Sequence, residues 1–135
     1  MIYFQNVSKT YCAGSGVSVA AVRDVSLEVD KGEYVGIVGP SGSGKSTMLY
    51  LAGLLDRPTS GRIVFEGKDT SVMGDPELSH LRGRSIGFVF QSFHLIPHLT
   101  VLENVALPLF YQGVGPGEPR RRAMARIDSL NLGPR

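Results

Sequence analysis

The sequence predicts an α/β fold in which a β-rich start leads into a core of one strand, one glycine loop and one helix. Three observations predict it. "IYFQNV" (2–7) and "VSLEV" (25–29) alternate apolar and polar residues, the period of half-buried strands. "YVGIVG" (34–39) is a continuous apolar run, the pattern of a strand covered on both faces. That run enters a glycine-rich loop, which passes directly into "KSTMLYLAGLLD" (45–56), a stretch of helical length.

The remaining elements follow in order. "DKGE" (30–33) is a turn signal between the second and third strands. The helix after the glycine loop has little polar face and is expected to be buried, with Pro58 limiting its run. "GRIVFEGKD" (61–69) reads as a short strand closing in a glycine turn, and "SIGFVFQ" (85–91) as a further buried-type strand. "TVLENVALPLFYQ" (100–112) reads as a helix with Thr100 at its N-cap and Glu103 three residues on, a capping box. Pro108 inside it predicts a break or kink. "GVGPGEP" (113–119) is a loop, and "PRRRAMARIDSLNL" (119–132) a helix with Ala123, Ile127 and Leu130 on one side.

Composition bounds what this chain does. Its 135 residues suffice for one domain, and 42% hydrophobic residues support a packed core rather than disorder. Fourteen basic against 12 acidic residues leave a net charge of +2, too small to argue for nucleic acid, which is not expected as a partner. A single cysteine, Cys12, excludes an internal disulfide framework and a cysteine zinc cluster, and fits a reducing cytoplasmic setting. The N-terminal residues show no signal-peptide pattern, and no apolar run approaches the roughly 18 residues of a membrane span. Work at a membrane is therefore expected to go through a partner.

"GPSGSGKST" (39–47) meets the pattern G-x-x-x-x-G-K-[ST] at Gly39, Gly44, Lys45 and Ser46. Glycines let backbone N–H groups close on anionic oxygens, here through Gly39, Ser41, Gly42, Ser43 and Gly44. The following helix offers its free N-terminal N–H groups and positive dipole end, from Lys45 through Thr47. Lys45 reaches the β- and γ-phosphates, and the Ser46 hydroxyl is placed to ligand Mg²⁺. A strand before and a helix after are the context that this motif requires, so ATP with Mg²⁺ is the expected ligand.

Strands precede the loop, and a later strand ends in Gln91, followed by "SFHLIPHLTVLENVALPL". At this point the sequence resembles the ATP-binding subunits of ABC transporters, and the resemblance covers the whole chain in order. "VSKTY" (7–11) resembles the adenine-stacking segment, with Tyr11 as the aromatic. Residues 20–55 resemble the run into and out of the Walker A motif. "IGFVFQ" resembles the Q-loop, which assigns Gln91 a metal- and water-contacting role. "LTVLENVALPL" resembles most the branch serving lipoprotein release and macrolide export. A tyrosine face suits an adenine ring, and a glutamine donates and accepts at once.

The resemblance implies a P-loop NTPase core with an N-terminal antiparallel β subdomain: 1–32 begins the β subdomain, 33–90 is part of the core, and 91–135 carries the Q-loop and starts the helical subdomain. It implies an ATPase coupled to transport, peripheral on the cytoplasmic face of the inner membrane. A transmembrane permease would meet residues near 91–112, where Phe93, Leu95, Ile96 and Leu99 are apolar. A second nucleotide-binding subunit would close over the ATP. The family's serine-glycine signature, Walker B strand and switch histidine come later than "DSLNLGPR", so the chain is expected to be a fragment with C-terminal strands absent. Nucleotide binding is then expected of it, and hydrolysis by it alone is not. Without those strands, 34–39 and 86–91 would keep unpaired apolar edges.

No carboxylate fills the hydrolytic role. Glu66 leads into a glycine turn, and His94 and His98 follow Gln91 too closely to be the switch histidine. Arg120, Arg121, Arg122 and Arg126 read as a solvated helix face. Two alternatives stay open beside the transporter subunit: a short nucleotide-binding remnant without turnover, and a P-loop kinase with the arginines as a lid.

Overall fold

The computed structural model describes residues 1–12, 14 and 16–133. The elements are β1 (Ile2–Cys12), β2 (Ser18–Val29), α1 (Lys45–Ala52), β3 (Ser60–Phe65), β4 (Lys68–Asp69), a 3-10 turn (Thr70–Val72), α2 (Asp75–Ser85), α3 (Val101–Tyr111) and α4 (Glu118–Ser129). They fall into two compact units, Met1–Leu78 and Ser79–Arg135.

The first unit is an antiparallel sheet in the order β2–β1–β3–β4 with α1 packed on β2. Central β1 pairs along both edges, from Ile2 with Val29 and Phe65. Its inward residues Phe4 and Val7 are fully buried, with Val22, Leu51, Leu54, Ile63 and Leu78 around them. Each such side chain contributes about 2 kcal/mol on leaving water. β1 and β2 both run farther than the alternating patterns at 2–7 and 25–29 indicated, because pairing carries them through residues whose side chains do not alternate.

The sheet is interrupted where it is shaped. Lys9 pairs with Val22 and Thr10 with Ala20, so Ala21 is an extra residue on β2, a β-bulge. A second irregularity leaves Asn6 extra on β1 with φ 47°, its backbone N–H donating to Ser26 Oγ at 2.9 Å. Gly61 of β3, at φ +80°, lies against the Asn6 carbonyl where a Cβ would overlap backbone. β3 and β4 form a small hairpin through the expected glycine turn, with Glu66 in it.

The expectations for α1 and for two strands are corrected, and one helix is added. α1 is not buried all round: Leu51 is buried, but Leu49 and Tyr50 are exposed, since β2 covers one side of the helix only. Segments 34–39 and 86–91 do not form strands, because no strand lies beside either among the described residues. Tyr34 and Val38 are 97% and 90% exposed, and Val89 is fully exposed. α2 had no counterpart in the sequence reading. Asp75 and Glu77 in its first turn and Arg82 and Arg84 in its last are the charge signal that was available.

In the second unit α3 packs against α4. Ala106 is buried on α3, and Pro119, Ala123 and Ile127 on α4, whereas Leu130 is exposed, contrary to the expected face. α3 runs without a break through Pro108. The proline stands one turn from the helix end and removes only its own N–H, while the cap at Thr100 and the packing on α4 hold the rest. The capping box forms in full: Thr100 Oγ1 accepts from Glu103 N–H at 3.2 Å, and Glu103 Oε2 accepts from Thr100 N–H at 2.8 Å.

Candidate functional site

The phosphate loop is placed by the bulge in β2. Gly44, the N-cap of α1, has φ 91° and lies against the Ala21 carbonyl oxygen, which a Cβ there would overlap. Only glycine meets both demands, the left-handed backbone and the contact with a carbonyl. The bulge turns that carbonyl toward the loop, and the loop in turn fixes where α1 begins.

No side chain caps the N-terminus of α1, so its first-turn N–H groups keep the arrangement that favours an anion. Ser43 N–H donates to the Pro40 carbonyl at 3.3 Å, closing the loop's turn. Lys45 Nζ arches back to the same carbonyl at 2.7 Å, so its ammonium lies over the loop rather than along the helix. Ser41, Gly42, Ser43 and Ser46 are exposed, and Gly44, Lys45 and Thr47 are half-buried. The structure thus gathers 39–47 into one loop at one helix end, next to β2.

Tyr11 belongs to the same unit. It pairs with Val19 on β2, two residues along from Ala21, which places it about 8 Å from that bulge by strand geometry. Its hydroxyl donates to Asp56 Oδ2 at 2.8 Å. Lys9 Nζ lies 5.0 Å from the ring centroid and donates to Asp56 Oδ1 at 2.5 Å and to the Arg57 carbonyl at 2.8 Å. Burial pushes the Asp56 carboxyl up, but hydrogen bonds from Lys9, Tyr11 and the Arg57 N–H outweigh it and hold it below its ordinary value. Sequence reasoning missed Lys9 and Asp56, which stand 47 residues apart with no local pattern joining them.

Gln91 lies in the second unit, exposed, at the start of the loop before α3. In that loop Phe93 and Leu95 are exposed. Asn104 ties its later part to α3, accepting from Ile96 N–H at 2.9 Å and donating to the Leu99 and Thr100 carbonyls at 3.1 and 3.0 Å. A groove of about 200 Å³ opens there between Leu95, Ile96, Leu99 and Val105. His94 stands edge-on to Phe90 with 4.6 Å between ring centroids. On α4, Arg121 makes a two-pronged pair with Glu118, at 2.9 and 2.7 Å, and Arg120, Arg122 and Arg126 are exposed.

The residues fit a triphosphate: a backbone loop at an uncapped helix end with an ammonium over it. They fit Mg²⁺ only as an ion carried with phosphate. Ser46 offers one hydroxyl, and no group of three or more His, Cys, Asp or Glu able to hold a metal occurs among the described residues. No helix among them is long and apolar enough to cross a membrane.

Comparison with known proteins agrees with this geometry. The family model described as ABC transporter matches residues 22–134. An ABC transporter ATP-binding protein of Thermotoga maritima is 54% identical over 130 residues, covering 96% of this chain and 55% of that protein. The macrolide export ATP-binding/permease protein MacB of Nitrosomonas europaea is 43% identical over 132 residues, 98% of this chain and 20% of its own. Among solved structures, the dimeric ATP-binding cassette MJ0796 of Methanocaldococcus jannaschii, in a post-hydrolysis state bound to ADP and Pi, superposes with a TM-score of 0.84 at 46% identity. That match covers 95% of this chain and 56% of the cassette. The chain spans about half the length of the ATP-binding relatives it matches. With the family model matching all but the first 21 residues and the last, the chain belongs to the ABC transporter ATP-binding family.

Proposed function

We propose that this chain forms the nucleotide-binding part of a transporter ATPase subunit that takes Mg-ATP and passes the energy of its binding and hydrolysis to a membrane partner. The observation that carries this is the seating of Gly44 on the Ala21 carbonyl, which fixes an uncapped helix end and the Lys45 ammonium around one small volume. Gly39, Ser41, Gly42, Ser43, Gly44 and Thr47 cradle phosphate oxygens, Lys45 balances their charge, and Tyr11 takes the adenine. When bound, Mg²⁺ neutralises phosphate charge. Ser46 would hold it, with Gln91 as its second protein ligand and the residue that orients water. The whole protein would act as a dimer on the cytoplasmic face of the inner membrane, in export or lipoprotein release; the dimeric MJ0796 cassette supports the dimer, and similarity to the macrolide export protein MacB supports export.

Mg-ATP binding by the purified protein tests the reading. Lys45→Ala removes a charge-assisted contact and is expected to weaken binding about tenfold to a hundredfold. Unchanged affinity in that variant sinks the assignment. The permease would meet 91–112, where exposed Phe93 and Leu95 border the apolar groove. Leu95→Asp is expected to abolish transport in the assembled transporter while leaving nucleotide affinity intact. Loss of both would mean that Leu95 serves packing instead.

A further inference from the structure

We propose that Asp56 and Lys9 are positioning residues that fix the Tyr11 ring as a ready-made stacking platform for the nucleobase. The inference rests on the nucleotide-binding reading and adds to it what holds the base end of the site.

An exposed tyrosine ordinarily gives up side-chain freedom when a ligand stacks on it, and that loss weakens binding. Tyr11 is 40% exposed, yet it is held at two places. Its hydroxyl is tied to Asp56, and the Lys9 ammonium lies over one ring face. A cation on one face is attracted by the ring's negative quadrupole and leaves the opposite face for a flat ligand. The anchors are themselves held. Asp56 Oδ1 accepts from both Lys9 and the Arg57 N–H, and the Lys9 side chain is only 13% exposed. The Tyr11 O–H, two of the Lys9 N–H groups and both Asp56 oxygens are engaged within the cluster, which suits it to orienting the ring.

The cluster also joins the two ends of the site. Asp56 lies four residues past the end of α1, and the N–H groups of Leu55 and Asp56 both donate to the Tyr50 carbonyl of that helix, at 2.8 and 3.3 Å. The N-terminus of α1 is the phosphate loop, about 12 Å away along eight residues. One short helix therefore fixes the phosphate cradle at its start and the stacking ring just past its end, and a ligand spanning both finds them at a set separation.

A simple staple between β1 and α1 would look similar, so the test must separate the two. Affinities for Mg-ATP and for Mg-bound inorganic triphosphate are measured on wild type, Tyr11→Phe and Lys9→Met, with Lys45→Ala as control. Tyr11→Phe keeps the ring and removes the anchor; Lys9→Met keeps the chain length and removes the charge. Each is expected to weaken ATP about fivefold and to leave triphosphate within about twofold. If ATP affinity is unchanged in Tyr11→Phe, or ATP and triphosphate weaken in parallel, the positioning role is overturned while the nucleotide site stands. If Lys45→Ala binds both ligands like wild type, the nucleotide reading fails and this inference with it. Should Lys9→Met not fold, Tyr11→Phe decides alone, being a change at the surface.

Discussion

Gly44 is the residue on which the phosphate loop depends most sharply. Its φ of 91° and its contact with the Ala21 carbonyl each exclude a Cβ, and together they leave no relaxed conformation for alanine. Gly44→Ala is expected to cost about 3 kcal/mol and to remove nucleotide binding. Thermal unfolding and Mg-ATP titration check the two halves of that statement separately. At Gly39 a Cβ would meet the Ser43 side chain, whose hydroxyl 2.8 Å away can turn aside, so the demand for glycine there comes from its φ of +156° and not from a backbone contact. The residue types of 39–47 were legible because glycine, lysine and serine at that spacing have few other uses. The dependence on Ala21 was not, since nothing in "VAAVR" marks a bulge; it exists only through pairing with β1.

At the scale of elements, α3 is the one whose sequence said most. Thr100 and Glu103 form the capping box that their spacing indicated. The Thr100 N–H, and then its hydroxyl, hold the Glu103 carboxyl below its ordinary value of 4.5. A carboxylate whose value is lowered in the folded chain stabilises it above the ordinary value and ceases to do so as the pH falls through the folded one. Amide protection at Val101–Asn104 is therefore expected to exceed that of Glu103→Gln at neutral pH, with the difference shrinking as the pH falls below the ordinary carboxylate value. A difference that persists in acid would mean that the box acts through shape alone. Strand patterns were less informative. "YVGIVG" and "IGFVFQ" read as buried strands because period and composition report what a segment suits, whereas a strand exists only when another lies beside it. The α1 stretch misled for a related reason: apolar residues on every side do not say which sides are covered.

At the scale of the whole molecule, the two units each keep a small core, and large apolar side chains stand in solvent between and beyond their elements. Tyr34, Val38, Val89 and Phe93 are 89% exposed or more. Exposed apolar segments of this kind associate. A polypeptide of these 135 residues is expected to self-associate and to unfold over a broad range rather than in one sharp step. Size exclusion and calorimetry decide it: a monomer with a single cooperative transition contradicts the expectation. The family was legible at this scale because three separated motifs kept their order, which no single element supplies.

The bulge at Ala21 has a consequence for how the gene can change. β1 ends at Cys12 and β2 begins at Ser18, so the connection lies beyond the bulge from the core, and length differences there leave Ala21 opposite Gly44. One codon gained or lost between Val22 and Val29 would instead slide β2 along β1 and turn its side chains to the other face. Descendants of this sequence are free to lengthen the hairpin tip and are held to a fixed count along the strand that follows.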